Sequence, residues 1–248
     1  ARINLVIDDP DTPEDESENS SATLPNPSLE PQRGWNFDSS IEWYFNETGA
    51  LALGVFYKDL DNQIDTGYKY ADTIPGFGDQ VFLITTATNI AGGWVKGVEL
   101  AYQQEFRFLP GFLANTGMSF NYTWLDSKTD ELEPRTGETL PLQGLSGDSF
   151  NVQLYYEDDK LSSRLLYNSR DDYYDRLDPY SRGTAIWNSG EPSLDFSLRY
   201  RFTEAFTAEF QVINILDSAK EEFAGFKQYV NSYNLYGTRY SLGATYRF

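Results

Sequence analysis

Apolar and polar residues alternate along most of this chain with a period of two. Between residues 35 and 45 the odd positions are Trp, Phe, Ser, Ile, Trp and Phe, whereas the even ones are Asn, Asp, Ser, Glu and Tyr. Because successive side chains of a β-strand point to opposite faces, this pattern predicts a strand with one apolar face. The same alternation predicts eight further strands, at 51–57, 97–106, 118–124, 150–157, 161–170, 194–202, 206–212 and 239–248. Residues 3–7 are interpreted as the end of a tenth strand.

The connections between these strands alternate in length. Those at 46–49, 157–160 and 203–204 are short, and the one at 107–114 is moderate. The others are long, at 8–34, 61–88, 127–147, 171–192 and 217–230. Aromatic residues lie near both ends of the strands, as at the two interfaces of a bilayer. A soluble sandwich is the alternative, but its strands usually have only about five or six residues. The pattern therefore predicts an all-β fold, an antiparallel transmembrane β-barrel, with its short turns and C-terminus in the periplasm.

Composition excludes several classes of function. The chain has 38 acidic and 19 basic residues and a formal net charge of -19, which argues against a basic surface for nucleic acid. It contains neither Cys nor His, so it cannot form a Ser-His-Asp or Cys-His active site by itself. We therefore expect neither an enzyme nor a cofactor.

Several short motifs occur in a defined order along the chain. Asn26 to Pro31 reads NPSLEP and is followed by IEWYF at 41–45. Further motifs lie, in order, at 54–60, 97–100, 108–111, 121–123, 142–146, 214–217 and 236–248. Together these segments resemble the C-terminal half of TonB-dependent outer-membrane receptors. Each segment is weak evidence, but their order and spacing together are specific.

This resemblance implies a larger barrel than the chain itself can form. Receptors of the family have 22 strands and a plug domain in the lumen, whereas this chain has nine or ten strands and no plug. Residues 1–248 are thus expected to be the C-terminal portion of the barrel, with a partial strand and an acidic extracellular loop at 1–34 and membrane strands at 35–248. The implied partners are outer-membrane lipid, the TonB system through the missing plug, and the barrel assembly machinery. The last strand resembles the signal that this machinery reads, because apolar residues recur with a period of two at Tyr240, Leu242, Tyr246 and Phe248. A plain closing strand is the alternative, and the two are compatible.

The resemblance also implies transport of an extracellular small ligand across the bacterial outer membrane. Aromatic residues beside Asp and Arg in long loops favour an oligosaccharide, because rings stack on sugars and charged groups bind hydroxyls. The candidate ligand-binding residues are Trp94, Asp171, Asp172, Tyr173, Tyr174, Arg176, Tyr180, Arg182 and Trp187. The alternative is that these loops are packed by their own side chains. A siderophore or iron-complex receptor, a passive porin and a structural surface barrel are the alternative functions.

Two sets of charged residues also have alternative interpretations. Asp8, Asp9 and Asp11 could bind calcium, which prefers carboxylates, but charge blocks are more often solvated loops. We therefore expect no metal site there. Inward arginines such as Arg164 and Arg199 alternate with inward acids, which favours a lumenal ladder of salt bridges over a transport path or a contact with a plug.

Overall fold

The computed structural model describes residues 4–6, 20–90, 92–178 and 184–248 of the chain. In chain order the strands are β1 (Asn4–Val6), β2 (Ser21–Thr23), β3 (Arg33–Asn46), β4 (Gly49–Asp61), β5 (Gln63–Thr73), β6 (Val81–Ile90), β7 (Gly93–Glu105), β8 (Thr116–Thr129), β9 (Asp148–Glu157), β10 (Leu161–Arg170), β11 (Tyr173–Asp178), β12 (Thr184–Asn188), β13 (Ser193–Arg201), β14 (Phe206–Ile213), β15 (Ala219–Ala224), β16 (Val230–Leu235) and β17 (Arg239–Tyr246). A 3-10 turn spans Gly111–Asn115. Within the described ranges, no helix has the length and apolar character needed to cross a membrane.

Nine strands form one antiparallel sheet, in the order β17-β14-β13-β10-β9-β8-β7-β4-β3. These are the nine strands that the alternation predicts, and the prediction of an all-β antiparallel fold is confirmed. Along the sheet, short turns at one end alternate with long connections at the other end, so that successive pairs of strands are joined at opposite ends. Within the described chain, β3 and β17 each have a neighbour on one side only, so the sheet is an unclosed part of a barrel.

The register of the sheet separates its two faces along rows of directly opposed residues. One row of the apolar face runs from β3 to β13 through Trp43, Leu51, Tyr102, Phe120, Val152, Tyr167 and Leu194. The neighbouring row of the polar face runs through Glu42, Ala52, Ala101, Asn121, Asn151, Asn168 and Ser193. Large apolar side chains such as Trp35 and Leu242 are more than four-fifths exposed. Such a face needs an apolar solvent, which is what the hydrocarbon of a bilayer provides.

The remaining strands belong to the long connections. A first four-stranded sheet has the order β1-β2-β6-β5, and a second has the order β11-β12-β15-β16. The strand expected at 3–7 as the tenth of the large sheet is thus corrected, because Asn4–Val6 pairs with β2 instead. Three residues are too few to cross a bilayer, so this strand only extends the first small sheet.

The buried apolar residues of the described chain lie outside the large sheet or at its loop end. One cluster joins Ala22, Phe82 and Ile84 in the first small sheet. The other joins Leu140, Tyr174 and Ala185 beside the second small sheet. The long connections therefore have small hydrophobic cores of their own. These cores hold the other side chains of the connections in position.

Candidate ligand-binding loops

The second small sheet, β11-β12-β15-β16, is called the loop sheet here. It continues the large sheet at the end that carries the long connections, since β11 follows β10 after two residues. Residues 130–147, called the strap, connect β8 to β9 at the same end. Most of the predicted ligand-binding residues lie on the loop sheet or just before it.

Tyr174 and Trp187 form the packed interior between the loop sheet and the strap. Only 4% of Tyr174 is exposed, its ring centroid lies 6.0 Å from that of Trp187, and both pack near Leu140. Tyr174 O also accepts a hydrogen bond from the Gly144 N–H at 2.8 Å. Tyr174 thus has almost no surface left for a ligand, whereas Trp187 is only partly buried and stays a predicted ligand contact.

Tyr173, the residue before Tyr174, faces the other way. The Arg170 guanidinium lies 3.9 Å from the centroid of its ring. Arg170 also donates from Nε to Ser146 Oγ at 2.7 Å and from Nη2 to Gly144 O at 2.8 Å. Ser146 Oγ in turn donates to Asp171 O at 2.7 Å. Arg170 therefore fixes the start of the loop sheet to the end of the strap.

The charged residues of the loop sheet are largely paired with one another. Asp172 Oδ2 lies 2.6 Å from Lys227 Nζ, and this hydrogen bond raises the pKa of Lys227. Arg176 contacts Asp175 and lies 3.4 Å from Glu222. Partial burial lowers the pKa of Arg176, but the hydrogen bonds and charges of those two carboxylates outweigh it and raise the pKa overall. Both cations are thus occupied by carboxylates.

One face of the loop sheet presents a polar row. Asn188 lies opposite Tyr173 on one side and opposite Glu222 on the other. Asn188 is 3% exposed, and its Oδ1 accepts no hydrogen bond from any residue that the structure describes. Glu222 accepts a hydrogen bond from Asn231 Nδ2 at 3.2 Å. The partly exposed Glu222 carboxylate is an acceptor for hydroxyl groups, whereas the Asn188 amide is buried.

The hairpin of β15 and β16 carries aromatic residues that the sequence analysis missed. Phe226, Tyr229, Tyr233 and Tyr236 are each about half exposed or more. The sequence itself indicates this group, since three tyrosines occur in a stretch of eight residues between β14 and β17. Exposed rings of this kind offer stacking surfaces to a ligand.

Trp94 lies elsewhere. It belongs to β7, on the apolar face with Val98, and its ring is 4.6 Å from Lys96 Nζ. The prediction that Trp94 belongs to an extracellular loop is therefore corrected, because β7 includes it and the alternation of that strand places it on the apolar face. Tyr180, Arg182, Asp8, Asp9 and Asp11 lie outside the described residues. In the part of the chain that is described, no cluster of three or more acidic side chains is arranged to hold a metal ion.

The polar face of the large sheet carries ion pairs at its short-turn end. Arg199 Nε lies 2.8 Å from Glu209 Oε1, and Arg164 Nη2 lies 3.8 Å from Glu157 Oε2. These contacts agree with the predicted ladder of salt bridges. They line a depression of about 430 Å³ that also includes Arg201.

The last strand places Tyr240, Leu242 and Tyr246 on the apolar face, opposite Val212, Phe210 and Phe206 of β14. Phe248 follows the end of β17, with its ring centroid 5.2 Å from that of Tyr246. The structure thus pairs this strand as the alternation predicts, whereas its role as an assembly signal stays a prediction.

Comparison with known families now decides the class of this barrel. The model of the TonB dependent receptor-like β-barrel family matches residues 9–215. The chain belongs to this family. The resemblance that the short segments indicated is therefore confirmed.

Solved structures of TonB-dependent receptors have the same fold. The siderophore receptor PirA from Acinetobacter baumannii is 17% identical, with a TM-score of 0.60 over 94% of this chain and 34% of that one. The ferric-catecholate import receptor Fiu from E. coli K12 is 15% identical, with a TM-score of 0.61 over 89% of this chain and 28% of that one. The ferric enterobactin receptor from Pseudomonas aeruginosa is 18% identical, with a TM-score of 0.59 over 92% and 33%. This chain spans about a third of their length, and at these identities the likeness concerns the fold alone. No curated protein matches the chain.

Proposed function

We propose that this chain supplies the C-terminal part of the barrel of a TonB-dependent receptor that imports an oligosaccharide. In this proposal the remaining strands and a plug domain belong to the same receptor, and the plug connects it to the TonB system. The long connections face the outside of the cell, and the short turns and the C-terminus face the periplasm. The barrel assembly machinery inserts the protein into the outer membrane, with the strand from Tyr240 to Phe248 as its signal.

The carboxylate of Glu222, whose side chain is 21% exposed, and the exposed aromatic rings of the hairpin of β15 and β16 carry this proposal. Sugar hydroxyls donate hydrogen bonds to such oxygens, and the apolar faces of sugar rings stack on aromatic rings. The exposed rings of Tyr229, Tyr233 and Tyr236 lie on the same hairpin as Glu222.

The charge of the loops supports a neutral ligand over an anionic one. Arg176 and Lys227 are each within 3.4 Å of a carboxylate. An anionic ligand would have to displace those carboxylates, whereas a neutral polyol would not. The excess of acidic residues in the whole chain also favours a neutral ligand over an anionic one, because it repels anions.

A ferric siderophore is the second candidate. It is supported by the names of structurally similar proteins, which include a siderophore receptor and a ferric-catecholate import receptor. The exposed tyrosines would then stack on aromatic groups of the siderophore.

Growth of a strain that lacks the complete gene tests both candidates. If the ligand is an oligosaccharide, the strain loses growth on one defined glycan and grows normally under iron limitation. The complete gene restores growth, whereas a version with Tyr229→Ala, Tyr233→Ala and Tyr236→Ala restores it poorly at low glycan concentration. The corresponding Tyr→Phe version keeps the rings and serves as the matched control. Normal growth on every glycan together with a defect under iron limitation would overturn the oligosaccharide and support the siderophore. Normal growth in both conditions would contradict energised uptake of either ligand.

A further inference from the structure

The polar face of the large sheet, which lines the lumen of a membrane barrel, contains a sector of uncharged side chains. On this face β8 contributes Gly, Ser, Asn, Thr, Leu, Ser and Thr at the odd positions 117–129, and β9 contributes Ser, Asn, Gln and Tyr at the odd positions 149–155. Charged residues of the same face flank the sector, among them Glu99 on β7 and Arg164 on β10. This sector, called the neutral wall, therefore offers hydrogen bonds without a net charge.

A depression of about 290 Å³ adjoins the neutral wall. Its floor consists of small side chains, those of Ala50, Ala52 and Ala101. Tyr44 forms one edge, and Gln103 and Asn121 form the other. The register explains the depression, because Tyr44, Ala50, Gln103 and Ser119 lie in one row across four strands. The methyl group of an alanine fills little of the space between a ring on β3 and the amides on β7 and β8.

The edges of the depression carry the groups that bind sugars. Tyr44 is 71% exposed, and its hydroxyl donates a hydrogen bond to Glu42, which holds the ring at the edge. The side chains of Gln103 and Asn121 are also exposed, and Asn121 Nδ2 donates to Asn151 Oδ1 of the neutral wall at 2.9 Å. An amide both donates and accepts hydrogen bonds, as a sugar hydroxyl does, and an aromatic ring stacks on the apolar face of a sugar ring.

The depression lies near the short-turn end of the sheet. β7 begins at Gly93, where it meets the long connections, and Gln103 lies ten residues further along the strand. This separation corresponds to about 33 Å along the strand. The depression is therefore separate from the loop sheet, and in the orientation proposed above it belongs to the periplasmic half of the lumen.

We propose that this depression binds the imported oligosaccharide during its passage to the periplasm, with the neutral wall as its continuation. Tyr44, Gln103, Ser119 and Asn121 are called the exit site. This inference rests on the proposed function, because it assigns a second site to the same ligand. A neutral glycan that leaves the loops loses hydrogen bonds to water, and the amides of the exit site replace them. The volume lies near the lower limit of about 300 Å³ for ligand pockets, so the site holds only part of a glycan at a time, which suits passage and not retention.

Binding and uptake of one glycan by the complete receptor separate the exit site from the loops. The probe is the tritiated form of the glycan on which the strain without the gene fails to grow. Binding is measured on cells without TonB, and uptake is measured on cells with TonB. We expect Y44A/Q103A/N121A to bind the glycan as tightly as the unmodified receptor does. Its maximal uptake rate should fall on the order of fivefold, which corresponds to the loss of one net hydrogen bond, whereas the half-saturating concentration stays the same.

Two variants provide the controls. Tyr44→Phe keeps the ring and should retain most of the uptake. Gln211→Ala removes an amide from the same face of the sheet, but on β14 between Ser197 and Ser241, outside the neutral wall, and should leave uptake unchanged. All variants are compared at equal amounts of the folded, heat-modifiable receptor on gels.

Four results would overturn the exit site. The triple variant could import the glycan at the unmodified rate, or Gln211→Ala could lower uptake equally. Equal losses of binding and uptake would assign the residues to the loop site. Entry of a large antibiotic into the triple variant without TonB would show that this wall serves to hold the plug. A different result, no binding and no uptake of any defined glycan by the unmodified receptor, would overturn the proposed function itself, and the exit site with it.

Discussion

The side-chain amide of Asn89 pairs with the backbone of Glu30 in both directions, as a neighbouring strand would. The Glu30 N–H donates to Asn89 Oδ1 at 2.7 Å, and Asn89 Nδ2 donates to Glu30 O at 2.9 Å. Asn26 makes a second connection, from its Nδ2 to Ala87 O at 3.0 Å. The NPSLEP segment is thus fastened to β6, which lies about sixty residues further along the chain.

Asn89→Ala should release this segment from the hairpin of β5 and β6. Each lost hydrogen bond contributes about 1 kcal/mol, and the backbone groups of Glu30 regain water because they are exposed. We expect cleavage within 24–31 to become several-fold faster in limited proteolysis of the complete receptor. Asn121→Ala, which removes a side-chain contact on the polar face of the large sheet, should leave that cleavage rate unchanged. Equal protection in both variants would show that the pairing does not hold the segment.

Asn214 is expected to tolerate Gly better than Ala. Its φ is 59°, a left-handed conformation that costs an alanine about 1 kcal/mol, whereas glycine adopts it freely. Its side chain also accepts from the Ser218 N–H at 3.0 Å and donates to Ser218 O at 3.1 Å, and both variants lose these bonds. The free energy of unfolding in lipid vesicles should therefore fall for both, and about 1 kcal/mol further for Asn214→Ala. The expectation fails if Ala is the milder substitution.

Glu133 should make the strap sensitive to acid. Burial alone would raise its pKa, but hydrogen bonds from Thr136, Arg135 and the Ala185 N–H, with the charge of Arg135, lower the pKa below its ordinary value of 4.5. A carboxyl with a lowered pKa stabilises the folded state above its ordinary pKa and loses that effect as the pH falls through the folded-state value. The attachment of the strap to β12 should thus be complete at pH 7 and weaken below about pH 4.5.

The pH dependence of this attachment is measured by the rate at which an acid-stable protease cleaves the strap in outer-membrane vesicles. The unmodified receptor should be protected at pH 6 and cleaved faster at pH 3. Glu133→Gln should be cleaved faster already at pH 6 and change little with pH. A Gln variant that keeps the full pH dependence would assign the effect to another group.

The Arg199–Glu209 pair should contribute little to stability. The side chains are 64% and 34% exposed, and such ion pairs are usually worth about 0.2–1 kcal/mol. A double-mutant cycle with Arg199→Ala and Glu209→Ala, followed by unfolding in vesicles, should give a coupling energy in this range that falls as salt is added. A coupling of several kcal/mol would mean that the pair is screened from water by another part of the receptor.

Trp94 and Tyr174 show how far the sequence could predict the candidate site. The alternation in β7 places Trp94 with Val98 on the apolar face, so the sequence alone contains the information that separates it from the loops. Tyr173 and Tyr174, by contrast, are adjacent residues of the same type. Which of the two is buried depends on Leu140 and the strap, about thirty residues earlier in the chain.

The sequence by itself determined the nine membrane strands, their two faces and the alternation of short and long connections. These properties are local, because the period of two requires only that each strand meet apolar lipid on one side and polar groups on the other. Only the tertiary structure decided that β1 pairs with β2, that the long connections form two further sheets, and that Tyr174 belongs to a core. Those outcomes depend on hydrogen bonds and packing between segments far apart in the chain, which no local periodicity encodes.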